Sequence, residues 1–171
     1  GAFAKHSFID LGVHTLNALQ SRLGLGPQGI DEFIFGTVLL DPRAPNYARE
    51  VLFRSGFAPT VSAHSISNNC ISGLVAVTMM AEAIQSGRIR CGVAGGAESM
   101  SRPTLTLSPA AEELFLSLAR ARSLGERVRT ALRFRPRHFM PRPPSPKEPS
   151  TGLTMGEHCE ITAKEFGITR E

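Results

Sequence analysis

The run Ser65-Ile66-Ser67-Asn68-Asn69-Cys70-Ile71-Ser72-Gly73 closes a strand-like segment and opens a helical one. Upstream, residues 60–67 alternate through Val61, Ala63 and Ile66, which predicts a strand. Downstream, Leu74, Val77, Ala81 and Ile84 recur at helical spacing, which predicts a helix over 73–86. Cys70 lies at the junction, where the free N–H groups and the positive end of a helix dipole converge. Such a field favours a thiolate and lowers the pKa of an exposed thiol. The thiolate is the nucleophilic form, so the junction reads as a site of covalent catalysis. A lone cysteine there is more often an inert, small apolar residue, and the surrounding chain has to decide.

Working outward, Leu11, Val13, Leu16, Leu19 and Leu23 predict a helix over 9–23, stopped by Gly24 and Gly26-Pro27. Residues 30–39 read as a strand that ends in the loop Asp41-Pro42-Arg43. A helix over 44–54 breaks at Gly56, and 90–98 is a short apolar strand that runs into glycines. The order αβαβαβ predicts an α/β fold, with a mixed or parallel sheet covered by helices. No internal repeat is evident. The composition changes after Met100: 119–142 is rich in Arg and 141–149 in Pro, which excludes a central sheet element. This stretch reads as an inserted surface subdomain, so the chain divides into 1–102 and 103–171. A last helix, over 155–166, is stopped by Gly167.

At 171 residues and a net charge of +4, the chain suits one domain with an excursion. Trp is absent and Tyr47 is the only Tyr, so base stacking has little to work with and no nucleic-acid partner is expected. Cys70, Cys91 and Cys159 are far apart and form no C-x-x-C pair, which argues against zinc and dithiol chemistry. Such sparse cysteines fit a reducing, intracellular compartment. No segment is apolar enough for a transmembrane span, and the first residues resemble no secretory signal. His138 and His158 have no partner at metal spacing, so no metal is expected. His64 reads as structural, Glu98 as a hydrogen-bonded structural acid, and Gly95-Gly96 as a place of close backbone packing. The Arg-rich stretch reads as a solvated face, a binder of phosphate groups, or a surface for acidic lipid or a partner subunit.

Several of these segments together resemble the N-terminal half of a thiolase, an acyl-CoA acyltransferase. Asp31-Glu32-Phe33-Ile34-Phe35-Gly36-Thr37-Val38 resembles the family's second strand, and Ala44-Pro45-Asn46-Tyr47-Ala48-Arg49-Glu50 its following loop and helix. Cys70-Ile71-Ser72-Gly73 resembles the nucleophile turn, and Ala94-Gly95-Gly96-Ala97-Glu98-Ser99-Met100-Ser101 the glycine-rich segment after the next strand. Thr151-Gly152-Leu153-Thr154-Met155-Gly156, with Gly167-Ile168-Thr169-Arg170-Glu171, resembles the start of the loop domain. The Cys-Ile-Ser-Gly form is similar to the degradative branch, near the β subunit of the fatty-acid oxidation trifunctional complex. Biosynthetic relatives more often carry Cys-Gly-Ser-Gly there.

The resemblance implies 3-ketoacyl-CoA cleavage in fatty-acid β-oxidation. Cys70 would be the nucleophile, with its backbone N–H in an oxyanion hole, and Met155 would line the acyl pocket. Coenzyme A would be a cosubstrate, with no covalently bound cofactor. A homodimer or homotetramer is implied, possibly with a multifunctional β-oxidation partner, in a bacterial cytoplasm or mitochondrial matrix. The family's Gly-His-Pro-type and Cys-x-Gly-Gly-type motifs, which supply its other catalytic residues, do not occur up to Glu171, and the first strand looks truncated at Gly1. The chain therefore reads as a fragment that is inactive alone. The alternatives are a non-catalytic structural or interaction module of the same fold, and a ketoacyl-synthase-type condensing enzyme, whose local motifs differ.

Overall fold

The computed structural model describes residues 1–170 and divides into two compact units, Gly1–Thr104 and Leu105–Glu171. The first is built in the order α1 (Phe8–Leu23), β1 (Glu32–Gly36), α2 (Tyr47–Arg54), β2 (Ser62–Ile66), α3 (Ser72–Gln85) and β3 (Gly92–Gly96). The three strands form one sheet in the order β2-β1-β3, with both pairings parallel. Each strand is shorter than its apolar run because the ends are drawn into loop bonds. At one such end, the Asp31 carboxylate accepts the N–H groups of Arg90 and Cys91.

β1 is buried along its whole length, as a central parallel strand must be. Its side chains alternate between two cores. Phe33 and Phe35 pack with Leu16 of α1 and with Tyr47, Val51 and Leu52 of α2. Ile34 packs with Ala76 and Met80 of α3. The crossover from β1 to β2 runs to one side of the central strand, and the return to β3 passes to the other. Right-handed crossovers in opposite directions place their helices on opposite faces of the sheet.

α1 starts one residue earlier than its spacing predicts, because Ser7 caps it. The Ser7 hydroxyl accepts the Asp10 N–H at 3.2 Å, and the Asp10 carboxylate accepts the Ser7 N–H at 3.0 Å. Asp10 also pairs with Arg54 of α2 at 2.6 Å. The Arg54 guanidinium, then the Ser7 hydroxyl and N–H, hold this carboxyl at about 2, below the ordinary carboxylate range. A depressed folded-state pKa adds stability that is present above the unfolded value and lost as pH falls through the folded one. Wild type should therefore lose stability relative to Asp10→Asn between about pH 4 and pH 2. Denaturant midpoints across that window check this. The pair is largely solvated, so the difference should stay below about 1 kcal/mol.

The second unit holds α4 (Pro109–Arg120), α5 (Leu124–Ala131), a 3₁₀ turn (Pro136–Phe139) and α6 (Met155–Glu165). The sequence reading passed over both helices: α4 carries Ala111, Leu114 and Leu118 at helical spacing, and the caps of both were legible. Ser108 followed by Pro109 is a helix start, and Ser123 with Glu126 forms a reciprocal box. Phe115, Phe134 and Phe139 cluster here, with the first two ring centroids 4.8 Å apart. Among the described residues no helix is long and apolar enough to cross a membrane.

Candidate active site

Cys70 sits in the turn between β2 and α3, at the carboxyl ends of the parallel strands. Sheets of this kind place ligands there, where successive crossovers part to either side. The turn is closed by Ser72, whose hydroxyl accepts the Asn68 N–H at 2.8 Å and donates to the Asn69 carbonyl at 2.7 Å. Asn69, just before the cysteine, has φ +48°, the only left-handed non-glycine among the described residues. Asparagine tolerates that region better than most side chains, at a modest cost in strain. The strained residue was not anticipated, although Asn-Asn before the cysteine is a turn signal.

α3 begins at Ser72, one residue before the predicted start, and Ile71 provides no side-chain cap. The N–H groups of Cys70, Gly73 and Leu74 meet no acceptor among the described residues. The exposed thiol thus lies beside several free donors at a helix start. A small depression of about 220 Å³ lies here, lined by Cys70 and Gly73 with Thr37 and Val38 after β1 and Glu98 after β3. Such an arrangement can hold an oxyanion against backbone N–H groups while a sulfur attacks.

Glu98 takes the structural part expected of it. One oxygen accepts the Thr37 hydroxyl at 3.1 Å and the N–H groups of Val38 and Leu39 at 2.7 and 3.0 Å. The other accepts the Ser99 N–H at 3.1 Å. The carboxylate ties together the two loops that wall the depression. The close packing expected at Gly95-Gly96 holds for Gly96 alone. A Cβ at Gly96 would collide with the Gly36 carbonyl, whereas one at Gly95 would meet nothing within 4 Å.

His64 lies away from the depression, with its Nε2 3.1 Å from Ser62 Oγ and 3.7 Å from Glu32 Oε1. Glu32, almost fully buried, is clamped by both terminal nitrogens of Arg88, a pairing the sequence reading missed. Met155 is the exposed first residue of α6 in the second unit, where the Thr154–Glu157 box caps the helix. His158 bonds Glu148 and Thr151, and Cys91 and Cys159 are free and exposed. Among the described residues no cluster of His, Cys, Asp and Glu could hold a metal ion.

Residues 1–171 match the family model described as thiolase, N-terminal domain. A 3-ketoacyl-CoA thiolase of Escherichia fergusonii is 38% identical over 163 residues, covering 95% of this chain and 37% of that protein. One from Serratia proteamaculans is 39% identical over the same shares. The acetyl-CoA acetyltransferase of Bacillus anthracis superposes with a TM-score of 0.77 at 27% identity, over 99% of this chain and 39% of that one. The Acat5 thiolase of Ascaris suum, solved in complex with coenzyme A, shares the fold at a TM-score of 0.74 and 24% identity, over 99% and 40%. The chain thus spans under two-fifths of the length of the first two relatives, 37% in each.

Proposed function

Since the chain belongs to the thiolase family, matching its N-terminal domain throughout, we propose that it supplies the nucleophile half of an enzyme that cleaves 3-ketoacyl-CoA with coenzyme A. The observation that carries this reading is the exposed Cys70 thiol, set beside free N–H groups at the strand-to-helix turn. The Cys70 thiolate attacks the C3 carbonyl carbon, and the oxygen takes the charge. Collapse breaks the C2–C3 bond and passes its electrons to C2 of the departing acetyl-CoA, which is then protonated. The shortened acyl group stays on sulfur as a thioester. The thiolate of coenzyme A attacks that carbonyl, and Cys70 leaves as thiolate.

No histidine lines the depression among the described residues. On this reading, the proton transfers belong to the remainder of a longer parent protein. The apolar outer side of α3, where Leu74, Val77 and Ile84 are exposed, would be covered there too. Met155 would touch the acyl chain, and the parent would act as a homo-oligomer with coenzyme A as cosubstrate.

Acyl trapping tests the reading. The chain and its full-length parent are incubated with acetyl-CoA, and the adduct is mapped by mass spectrometry. A thioester on Cys70, absent in Cys70→Ala and not found on Cys91 or Cys159, is the expected result in the parent. An adduct on the chain alone would show that the turn suffices to activate the thiol. No adduct on either would leave a non-catalytic module of the same fold.

A further inference from the structure

The turn that carries Cys70 holds Asn69 in an unfavourable backbone region, at φ +48°. Such a conformation persists only where its surroundings hold it. From within, Ser72 does so: its N–H and its hydroxyl both donate to the Asn69 carbonyl, at 3.2 and 2.7 Å. The Asn68 carbonyl accepts the Ile71 N–H at 3.3 Å. These bonds close the turn on itself and on the start of α3. The link to the sheet is made at Ile66, the last residue of β2, whose carbonyl accepts the Thr37 N–H at 3.2 Å.

That same carbonyl accepts a second hydrogen bond, from the Tyr47 hydroxyl at 2.5 Å. A carbonyl oxygen has two lone pairs, so Ile66 is bonded to capacity. Tyr47 is the first residue of α2 and is buried, with 3% of its surface exposed. Phe8 packs edge-on to its ring with centroids 5.4 Å apart, and Phe35 does so at 6.0 Å, which fixes where the phenol points. The start of α2 is itself pinned to β2. Ser65 Oγ accepts the Ala48 N–H at 2.9 Å and donates to Asn46 Oδ1 at 3.0 Å. Burial raises the pKa of the phenol above its ordinary value. The Thr37 N–H works against that shift and the Glu98 carboxylate adds to it, so the hydroxyl keeps its proton and stays a donor. Thr37 and Glu98 also line the depression beside Cys70, so the phenol reaches the carboxyl end of the sheet directly beneath the turn.

A buried tyrosine hydroxyl needs a partner in any fold. Here the partner is the hinge of the turn, four residues before the exposed thiol. We infer that Tyr47 is a positioning residue for Cys70: its hydroxyl, through the Ile66 carbonyl, holds the turn where the thiol lies beside the free N–H groups of the helix start. Its catalytic meaning rests on the acyltransferase reading, whereas the reactivity of the thiol can be measured without it. Freed from this anchor, the turn carries the sulfur away from the donors that favour the thiolate, and the thiol reacts more slowly.

Tyr47→Phe removes one oxygen and keeps the ring. Ser65→Ala is the structural control, because it also unties α2 from β2, one residue further from the turn. Each chain is treated with iodoacetamide at neutral pH, and the rates at Cys70, Cys91 and Cys159 are read separately by mass spectrometry. Cys91 and Cys159 are exposed and serve as references within the same sample. The Cys70 rate relative to theirs should fall about fivefold in Tyr47→Phe, the weight of one hydrogen bond, and hold in Ser65→Ala. In the parent protein, kcat for acyl transfer should fall by a similar factor with KM for the acyl-CoA unmoved. An unchanged Cys70 ratio in Tyr47→Phe overturns the inference. An equal fall in Ser65→Ala also overturns it, because general loosening of α2 would then be the cause. Tyr47 is the only tyrosine, so 3-fluorotyrosine supplied during expression labels it alone. In the labelled Cys91→Ala/Cys159→Ala chain, alkylation of Cys70 should shift the fluorine resonance. A resonance that stays put overturns the inference even if Tyr47→Phe does not fold. A fall in the Cys70 ratio together with a parent that forms no acyl-cysteine would sink the acyltransferase reading and leave the positioning standing.

Discussion

Arg88→Ala should destabilise the first unit, because it leaves the buried Glu32 carboxylate without its partner. Glu32 is 2% exposed and stands at the start of the central strand. Its two oxygens are each bonded by a different terminal nitrogen of Arg88, the second at 3.1 Å. Trimming Arg88 strands a charge in the core, with only His64 nearby at 3.7 Å. The Arg88 side chain is 55% exposed, so water partly replaces it and softens the loss. Urea midpoints of wild type, Arg88→Ala, Glu32→Gln and the pair Glu32→Leu/Arg88→Met decide the matter. Glu32→Gln should cost less than Arg88→Ala, because it removes the charge that must be buried. The apolar pair should recover much of the loss. If the pair is as unstable as Arg88→Ala, the burial argument is wrong.

Gly36→Ala should cost about 1–3 kcal/mol in stability and also disturb the Cys70 turn. A Cβ at Gly36 would lie 2.8–2.9 Å from the backbone carbonyl and the Cβ of Ser72. Ser72 opens α3, and its hydroxyl ties Asn68 to Asn69 immediately before Cys70. The helix start has to retreat, and the Cys70 turn goes with it. Gly95→Ala is the matched control, since its Cβ meets nothing within 4 Å. Thermal melts should drop for Gly36→Ala, by about 4 °C or more, and not for Gly95→Ala. In the parent protein, Cys70 acylation should slow only in the former. An unaltered melt and acylation rate in Gly36→Ala would mean that the sheet and α3 are not in the close contact described.

The class of the fold and the order of its first six elements were legible in the sequence. They rest on local periodicity, which the chain carries wherever it is placed: alternation in 60–67, and Leu74, Val77, Ala81 and Ile84 at helical spacing. Cys70 could be singled out for the same reason, because its junction is local. α5 was legible only in its cap, since its apolar residues are few among arginines, whereas α4 carries Ala111, Leu114 and Leu118 at helical spacing, a pattern the reading passed over. Tertiary structure alone decided the rest. It paired Arg88 with Glu32 and placed Glu98 on Thr37, Val38 and Leu39, contacts between residues far apart in the chain. It distinguished Gly96, pressed against the Gly36 carbonyl, from its open neighbour Gly95. It gathered Arg133, Arg135 and Arg137 around His138, where the sequence showed only a basic run. Periodicity marks an element without fixing its buried face: Leu74, Val77 and Ile84 are exposed, and α3 buries Ala76, Met80 and Ala83 instead. What a side chain meets depends on the crossovers that bring distant elements together, and no local pattern encodes that distance.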